Sequence, residues 1–144
     1  MSTRKKIMIT LIVILLLLTA GVYGYGVYYF TEHFLLGSMV NGFNCSYMTV
    51  KESEELLTKK TEAYVLTINT RNNGQESITA EAAGLSYESD GSVDNLIKKQ
   101  ARFTWFLAFN QHKNYEIASS VKYDEQKVNT AISNLKCMQP ENTT

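Results

Sequence analysis

Histidine, cysteine and early negative charge are scarce in this 144-residue sequence. The only histidines, His33 and His112, are far apart, and neither stands at ligand spacing from a cysteine or a carboxylate pair. A histidine-built metal centre is therefore not expected, and a catalytic cysteine has no base nearby in sequence. No Gly-rich phosphate loop, H-E-x-x-H or G-x-S-x-G string occurs, so the commonest nucleotide, zincin and hydrolase chemistries have no foothold. The acids are scattered over predicted helix surfaces and turns, no active site is placed, and no cofactor is implied. The expectation is a protein that is not an enzyme.

Negative charge is absent before Glu32, whereas Arg4, Lys5 and Lys6 open the chain. From Glu32 onward 11 Lys/Arg face 14 Asp/Glu, a net of about −3. No basic stripe with interleaved aromatics appears, which excludes nucleic acid as an expected partner, because that binding neutralises phosphates with clustered cations. No internal repeat or low-complexity tract interrupts the chain.

What the sequence has is one long apolar run. Ile7 to Phe30 holds 24 residues without a charge. At about 1.5 Å per residue it reaches roughly 36 Å, more than the roughly 30 Å of bilayer hydrocarbon, so it spans with some tilt. Its first half is Leu- and Ile-rich; its second half carries Tyr23, Tyr25, Tyr28, Tyr29 and Phe30, rings that settle at a membrane interface. Basic residues on the N-terminal side predict a cytoplasmic N-terminus and an extracellular C-terminal part. A cleaved signal peptide competes with this, but the run is too long and Leu18 occupies a position where cleavage wants a small residue. The run is read as an uncleaved signal-anchor. Ala20 and Gly24, with Gly21 and Gly26 nearby, form a small-residue face that would let two such helices pack.

The expected organisation is a basic cytoplasmic tail at 1–6, a transmembrane helix at 7–30, a stalk at 31–38 and one exported domain at 39–144. Its length allows a single modest core. Within it, Asn41-Gly42 supplies a turn in a short extended stretch. Thr49 with Glu52 forms a capping box for a helix to about Thr61. Tyr64, Leu66 and Ile68 alternate along a strand, and Asn72-Asn73-Gly74 signals a hairpin whose return runs through Ile78. Leu85 to Tyr87 makes another short strand. Ser92 is the expected cap of a helix reaching Gln100, Tyr115 to Tyr123 reads as a strand, and Asp124 caps a last helix to about Leu135. The predicted fold class is α+β, with about four mostly antiparallel strands and three helices after the transmembrane helix.

Two features stay open at this level. Phe103 to Phe109, with Trp105 and Phe106, is the most apolar stretch outside the long run but too short to span a bilayer. It is either a core helix turn or an aromatic contact patch for a membrane surface or a glycan. Cys45 and Cys137 are either two apolar thiols or a disulfide. A bridge would close a loop of about 90 residues, roughly 4.5 kcal/mol in the chain-entropy account.

The string MVNGFNCSYMTVKESEELL, from Met39, resembles the opening of the peptidoglycan-binding (YoaR-like) domain that precedes the catalytic domain in some Gram-positive L,D-transpeptidases. The resemblance continues through LTINTRNNGQESITAEAAGLSY, IKKQARFTWFLAF and SVKYDEQKVNTAISNLKCM, and covers Phe34 to about Met138. It implies a membrane-tethered, wall-facing module with peptidoglycan as its partner, and the tripeptides Asn44-Cys45-Ser46 and Asn142-Thr143-Thr144 are then accidental matches to a glycosylation signal. It also marks a departure. The family's catalytic domain uses a histidine-glycine element and an S-x-G-C motif, whereas here Phe34 follows His33, Lys113 follows His112, and neither cysteine lies in S-x-G-C. The leading expectation is a non-catalytic wall module that binds or positions peptidoglycan, alone or beside a separate catalytic partner. The alternatives are a truncated L,D-transpeptidase lacking its catalytic domain and a membrane interaction protein acting through the helix or the aromatic patch.

Overall fold

The charge-free run becomes the first helix of the computed structural model, which describes residues 2–118 and 120–139. Helix α1 (Thr3–Tyr29) has 27 residues, about 40 Å at the α-helical rise. It is long and apolar enough to cross a membrane. Its two mid-helix hydroxyls are satisfied internally: Thr10 donates to the Lys6 carbonyl and Thr19 to that of Leu15. No polar side chain from Ile7 to Val22 is thus left needing water.

After α1 the chain turns directly into the domain. The Phe34 amide donates to the Met48 carbonyl, and Tyr47 donates back to Phe34. Strands β1 (Ser38–Val40) and β2 (Phe43–Asn44) form a tight hairpin. Its two corner residues, Asn41 and Gly42, both have positive φ (49° and 80°), the conformation that matches a two-residue turn to strand twist. Thr49 and Glu52 form the expected capping box, with Glu52 N–H donating to Thr49 Oγ1 (3.3 Å) and Thr49 N–H to Glu52 Oε2 (2.9 Å). They start α2 (Val50–Glu62), whose buried face is Ser53 and Leu57.

Strands β3 (Val65–Asn69) and β4 (Gln75–Thr79) make the predicted hairpin, in register from Val65↔Thr79 to Asn69↔Gln75. A single turn, α3 (Ala80–Ala83), ends at Gly84 in the left-handed region (φ 61°). Strand β5 (Ser86–Tyr87) follows, then α4 (Ser92–Lys99) and a kinked 3₁₀ segment over Arg102–Asn110. Strand β6 (Lys113–Tyr115) runs parallel to β1, and β7 (Val121–Lys122) pairs antiparallel with β5. Helix α5 (Glu125–Ser133) begins at Asp124, whose carboxylate accepts from Gln126 and Lys127 N–H. A 3₁₀ turn at Lys136–Met138 ends the described chain.

The α+β class holds, with a finer division than expected. The described residues carry seven short strands in three small sheets, one pair of them parallel, rather than about four strands. The stretch predicted as one strand from Tyr115 to Tyr123 is broken between β6 and β7, whose partners, β1 and β5, belong to different sheets. The segment at 31–38, expected to be a stalk, is part of the domain. Phe34 is fully buried and joins Val40, Cys45, Leu57, Val93, Ile97 and Ile117 in the main core. Leu66 on β3 and Tyr64 just before it are exposed while Ile78 on β4 is buried, so the hairpin lends the core its second strand more than its first.

No disulfide links the cysteines. Cys45 lies wholly inside the main core, and burial pushes its thiol above the usual range. Cys137 sits at the C-terminal 3₁₀ turn, where burial and the neighbouring Glu76 carboxylate raise its thiol. Its backbone N–H donates to Glu76 Oε1 (2.8 Å), which ties it to β4, away from the Cys45 core. Under native, non-reducing conditions a thiol reagent is expected to add one label, on half-exposed Cys137, and a second only after unfolding exposes Cys45. Intact mass reads the count; no label on the unreduced chain would restore the bridge.

Candidate functional site

The features that single out a site gather where α1 meets the domain. The segment after α4 leaves the main core and lies along the end of α1. Trp105 packs flat enough on Gly26 that a Cβ at that position would overlap the indole ring. Trp105 Nε1–H donates to the Tyr23 carbonyl (3.3 Å), and Tyr23 O–H donates to the Phe103 carbonyl (2.9 Å). Phe30, Leu35 and Ala108 form a second small core there, flanked by Tyr29 and Trp105. His33 stacks on Tyr29 with ring centroids 3.9 Å apart, and its Nδ1 lies 2.9 Å from the Tyr29 carbonyl. His33, which falls in the segment expected to be a stalk, is thus part of this joint.

One buried side chain locks the joint. Gln100, the residue that ends α4, accepts from Leu35 N–H at Oε1 (3.0 Å). Its Nε2 donates to the Phe30 carbonyl (2.8 Å) and to that of His33 (2.6 Å). The end of α1, whose last carbonyls have no intrahelical partner, is therefore held by the domain itself. Nothing in the sequence separates Gln100 from a solvated glutamine, because its partners are backbone groups some 65 to 70 residues away.

The structure brings Phe103, Trp105 and Phe106 together on α1, with Phe109 at the end of the same segment. Of the two open readings, a buried core helix turn is not what forms. Phe103 is 60 % exposed, Phe106 46 %, Leu107 47 % and Phe109 71 %, and only Ala108 is buried. The apolar side chains face outward because Trp105 and Ala108 take the inner positions against α1. Between this segment and α1 runs an open groove of about 810 Å³, walled by Leu16, Thr19, Ala20, Tyr23, Trp105 and Phe106.

A second concavity of about 520 Å³ lies between α2 and β5, with Lys51, Glu54, Lys59, Glu62, Tyr87 and Ser89 on its walls. Both signs of charge line it, and Ser89 donates to Glu54 across it. At its base the Tyr87 phenol is pushed up to about 12 by burial and then by the negative Glu54. That hydroxyl has no well-formed hydrogen bond among the described residues; the nearby Ser120 hydroxyl donates to Asp90 instead (2.7 Å). A phenol so held stays protonated, with its oxygen shielded beneath the concavity.

Among the described residues no group of three or more His, Cys, Asp or Glu could hold a metal ion. Cys45 and Cys137 are not brought together, and the Asn142 tripeptide lies outside the described residues. Glu76, on β4, acts structurally: burial works against its ionisation but is outweighed by Lys136 N–H (2.6 Å) and Cys137 N–H donating to it, so its carboxyl is held below the usual range. A depressed carboxyl stabilises the fold above its unfolded value, and the contribution is lost as pH falls through the folded value. Acidification below about pH 4 should therefore release the Lys136–Met138 turn, seen as faster amide exchange at Lys136 and Cys137. Glu76→Gln should show that fast exchange already at neutral pH.

No family model, no curated protein and no solved structure matches this chain.

Proposed function

We propose that this chain is a membrane-anchored, non-catalytic wall module, with α1 spanning the cytoplasmic membrane, its N-terminus inside, and the domain outside, where it binds or positions peptidoglycan. The observation that carries the reading is the joint: Gln100 and Trp105 fasten the domain to the end of α1. A flexible tether would let the domain wander, whereas this joint fixes it at one height and orientation on its anchor. Orientation is supported by Arg4, Lys5 and Lys6 on one side of the run and the first acid, Glu32, on the other.

The peptidoglycan part rests on the resemblance over Phe34 to Met138. The α2–β5 concavity supports it chemically. Stem peptides carry free carboxylates and amines together, and the lysines and glutamates on its walls offer partners for both. Retention of the full chain, in mild detergent, on purified sacculi tests the reading. Binding that weakens in the Lys51→Ala and Lys59→Ala variants supports it; retention no greater than that of an unrelated single-span protein overturns direct binding. Protease protection in right-side-out vesicles tests orientation separately.

A further inference from the structure

We propose that the Arg102–Asn110 segment is a lipid-embedded ledge, its aromatic side chains lying in the outer leaflet and its flanking cations meeting the phosphates of anionic phospholipids. The inference rests on α1 spanning the membrane. It adds a second, non-spanning contact between domain and bilayer.

Depth is the first argument. With Lys6 at the inner surface, Ile7 starts the hydrocarbon, and the α-helical rise puts Tyr23 about 24 Å and Gly26 about 28 Å farther along. Bilayer hydrocarbon is about 30 Å thick. The two positions that Trp105 touches, Tyr23 and Gly26, therefore lie just inside the outer boundary. Tilt shortens the projected depth and draws the same contacts deeper. A segment fastened to them cannot stand clear of the headgroup region.

Chemistry is the second argument. Four large apolar side chains, Phe103, Phe106, Leu107 and Phe109, are outward and uncovered, and in water such a cluster would be costly at about 25 cal/mol per Å². Phe and Trp at headgroup depth are favoured. Charge agrees with this placement. From Asn95 to Tyr115 the sequence has Lys98, Lys99, Arg102 and Lys113 and not one acid, although the chain from Glu32 onward is net negative. Lys98 shares its charge with Asp94, and Arg102 lies over the Phe103 ring at 5.2 Å, placing a cation beside the inserted aromatic. Cations next to interfacial rings are what an anionic leaflet attracts. The groove between ledge and α1 opens beside Leu16 and Ala20, inside the same hydrocarbon depth, and an acyl chain is the occupant that depth supplies.

Trp105 is the chain's only tryptophan and reports directly on its surroundings. The full chain is reconstituted in phosphatidylcholine vesicles, with or without phosphatidylglycerol, using lipids brominated on the upper acyl chain. Trp105 should emit at short wavelength, lose most of its emission to the brominated lipids and resist aqueous iodide. The decisive probe is the Trp105→Phe, Phe109→Trp chain, whose indole stands at the end of the ledge and away from α1. Quenching of that probe by brominated lipid, stronger with phosphatidylglycerol and equalised by Lys99→Gln with Arg102→Gln, supports the proposal. Quenching by iodide but not by brominated lipid overturns it, as does lipid quenching that appears only on dilution, which would mean a second copy covers the face. Quenching equal in both vesicle types overturns the headgroup contact. Release of the whole chain by alkaline carbonate would instead sink the anchoring reading.

Discussion

Replacing Gln100 with leucine is expected to destabilise the full chain by about 3–5 kcal/mol, a large part of the roughly 5–15 kcal/mol that holds a domain of this kind together. The size follows from counting what is stranded. Leu35 N–H, the Phe30 carbonyl and the His33 carbonyl each lose their side-chain partner, and a buried polar group without a partner costs about 1–3 kcal/mol. Leucine fills the space that glutamine leaves, so no cavity adds to the result. Gln100→Glu separates the hydrogen bonds from the shape. It keeps an acceptor for Leu35 but turns an ionised oxygen toward two carbonyls that need a donor, in a site where Gln100 is only 8 % exposed. It should be at least as damaging as leucine. Denaturant midpoints in detergent, followed by Trp105 emission, measure both variants, and amide exchange at Leu35 localises the change. A midpoint for Gln100→Leu within experimental error of the unaltered chain would show that the clamp carries no stability.

Much of the local structure is legible in the residues because its causes are local. The capping box at Thr49 and Glu52, the Asn41-Gly42 corner and the Asp124 cap each join groups within three residues of one another. The apolar faces of α2 and α4 follow from spacing alone, and so does the length of α1. What stays illegible is non-local. The parallel pairing of β1 with β6 joins residues about 75 apart in sequence, and no short-range pattern names the partner. The break between β6 and β7 goes with their partners: β1 takes one end of the predicted strand and β5, in another sheet, takes the other. The aromatic segment illustrates the same limit. Its apolar composition suits a core equally well, and only its seat on α1, set by Gln100 and by the absence of a side chain at Gly26, turns its phenylalanines outward. The helix glycines looked equivalent as a surface for pairing with another helix. The structure separates them: Gly21 and Gly24 have nothing within 4 Å, while Gly26 is occupied by Trp105 of the same chain.

That separation yields the second large effect. Gly26→Ala is expected to push Trp105 off α1, whereas Gly24→Ala and Gly21→Ala are expected to leave it in place. Two effects oppose each other at every one of these positions. Alanine is the better helix former by up to about 1 kcal/mol, and at Gly21 and Gly24, where a Cβ meets open space, that gain stands alone. At Gly26 the new methyl would overlap the indole at Cε2, Nε1 and Cζ2. These atoms belong to a rigid ring pinned by the Tyr23 carbonyl and edged by Phe106 at 6.2 Å, so the ring must move as a whole. Overpacking of this kind costs about 1–3 kcal/mol, which exceeds the helix gain, and Gly26→Leu should cost more. Trp105 emission should shift to longer wavelength in Gly26→Ala and its near-ultraviolet dichroism should weaken, with neither change in Gly24→Ala. The double variant Gly26→Ala, Trp105→Ala decides whether the contact is the cause. With the ring gone, adding the methyl should no longer destabilise the chain, leaving a strongly non-additive cycle. Additive losses would mean that Gly26 matters for α1 itself and that Trp105 holds the domain through other contacts.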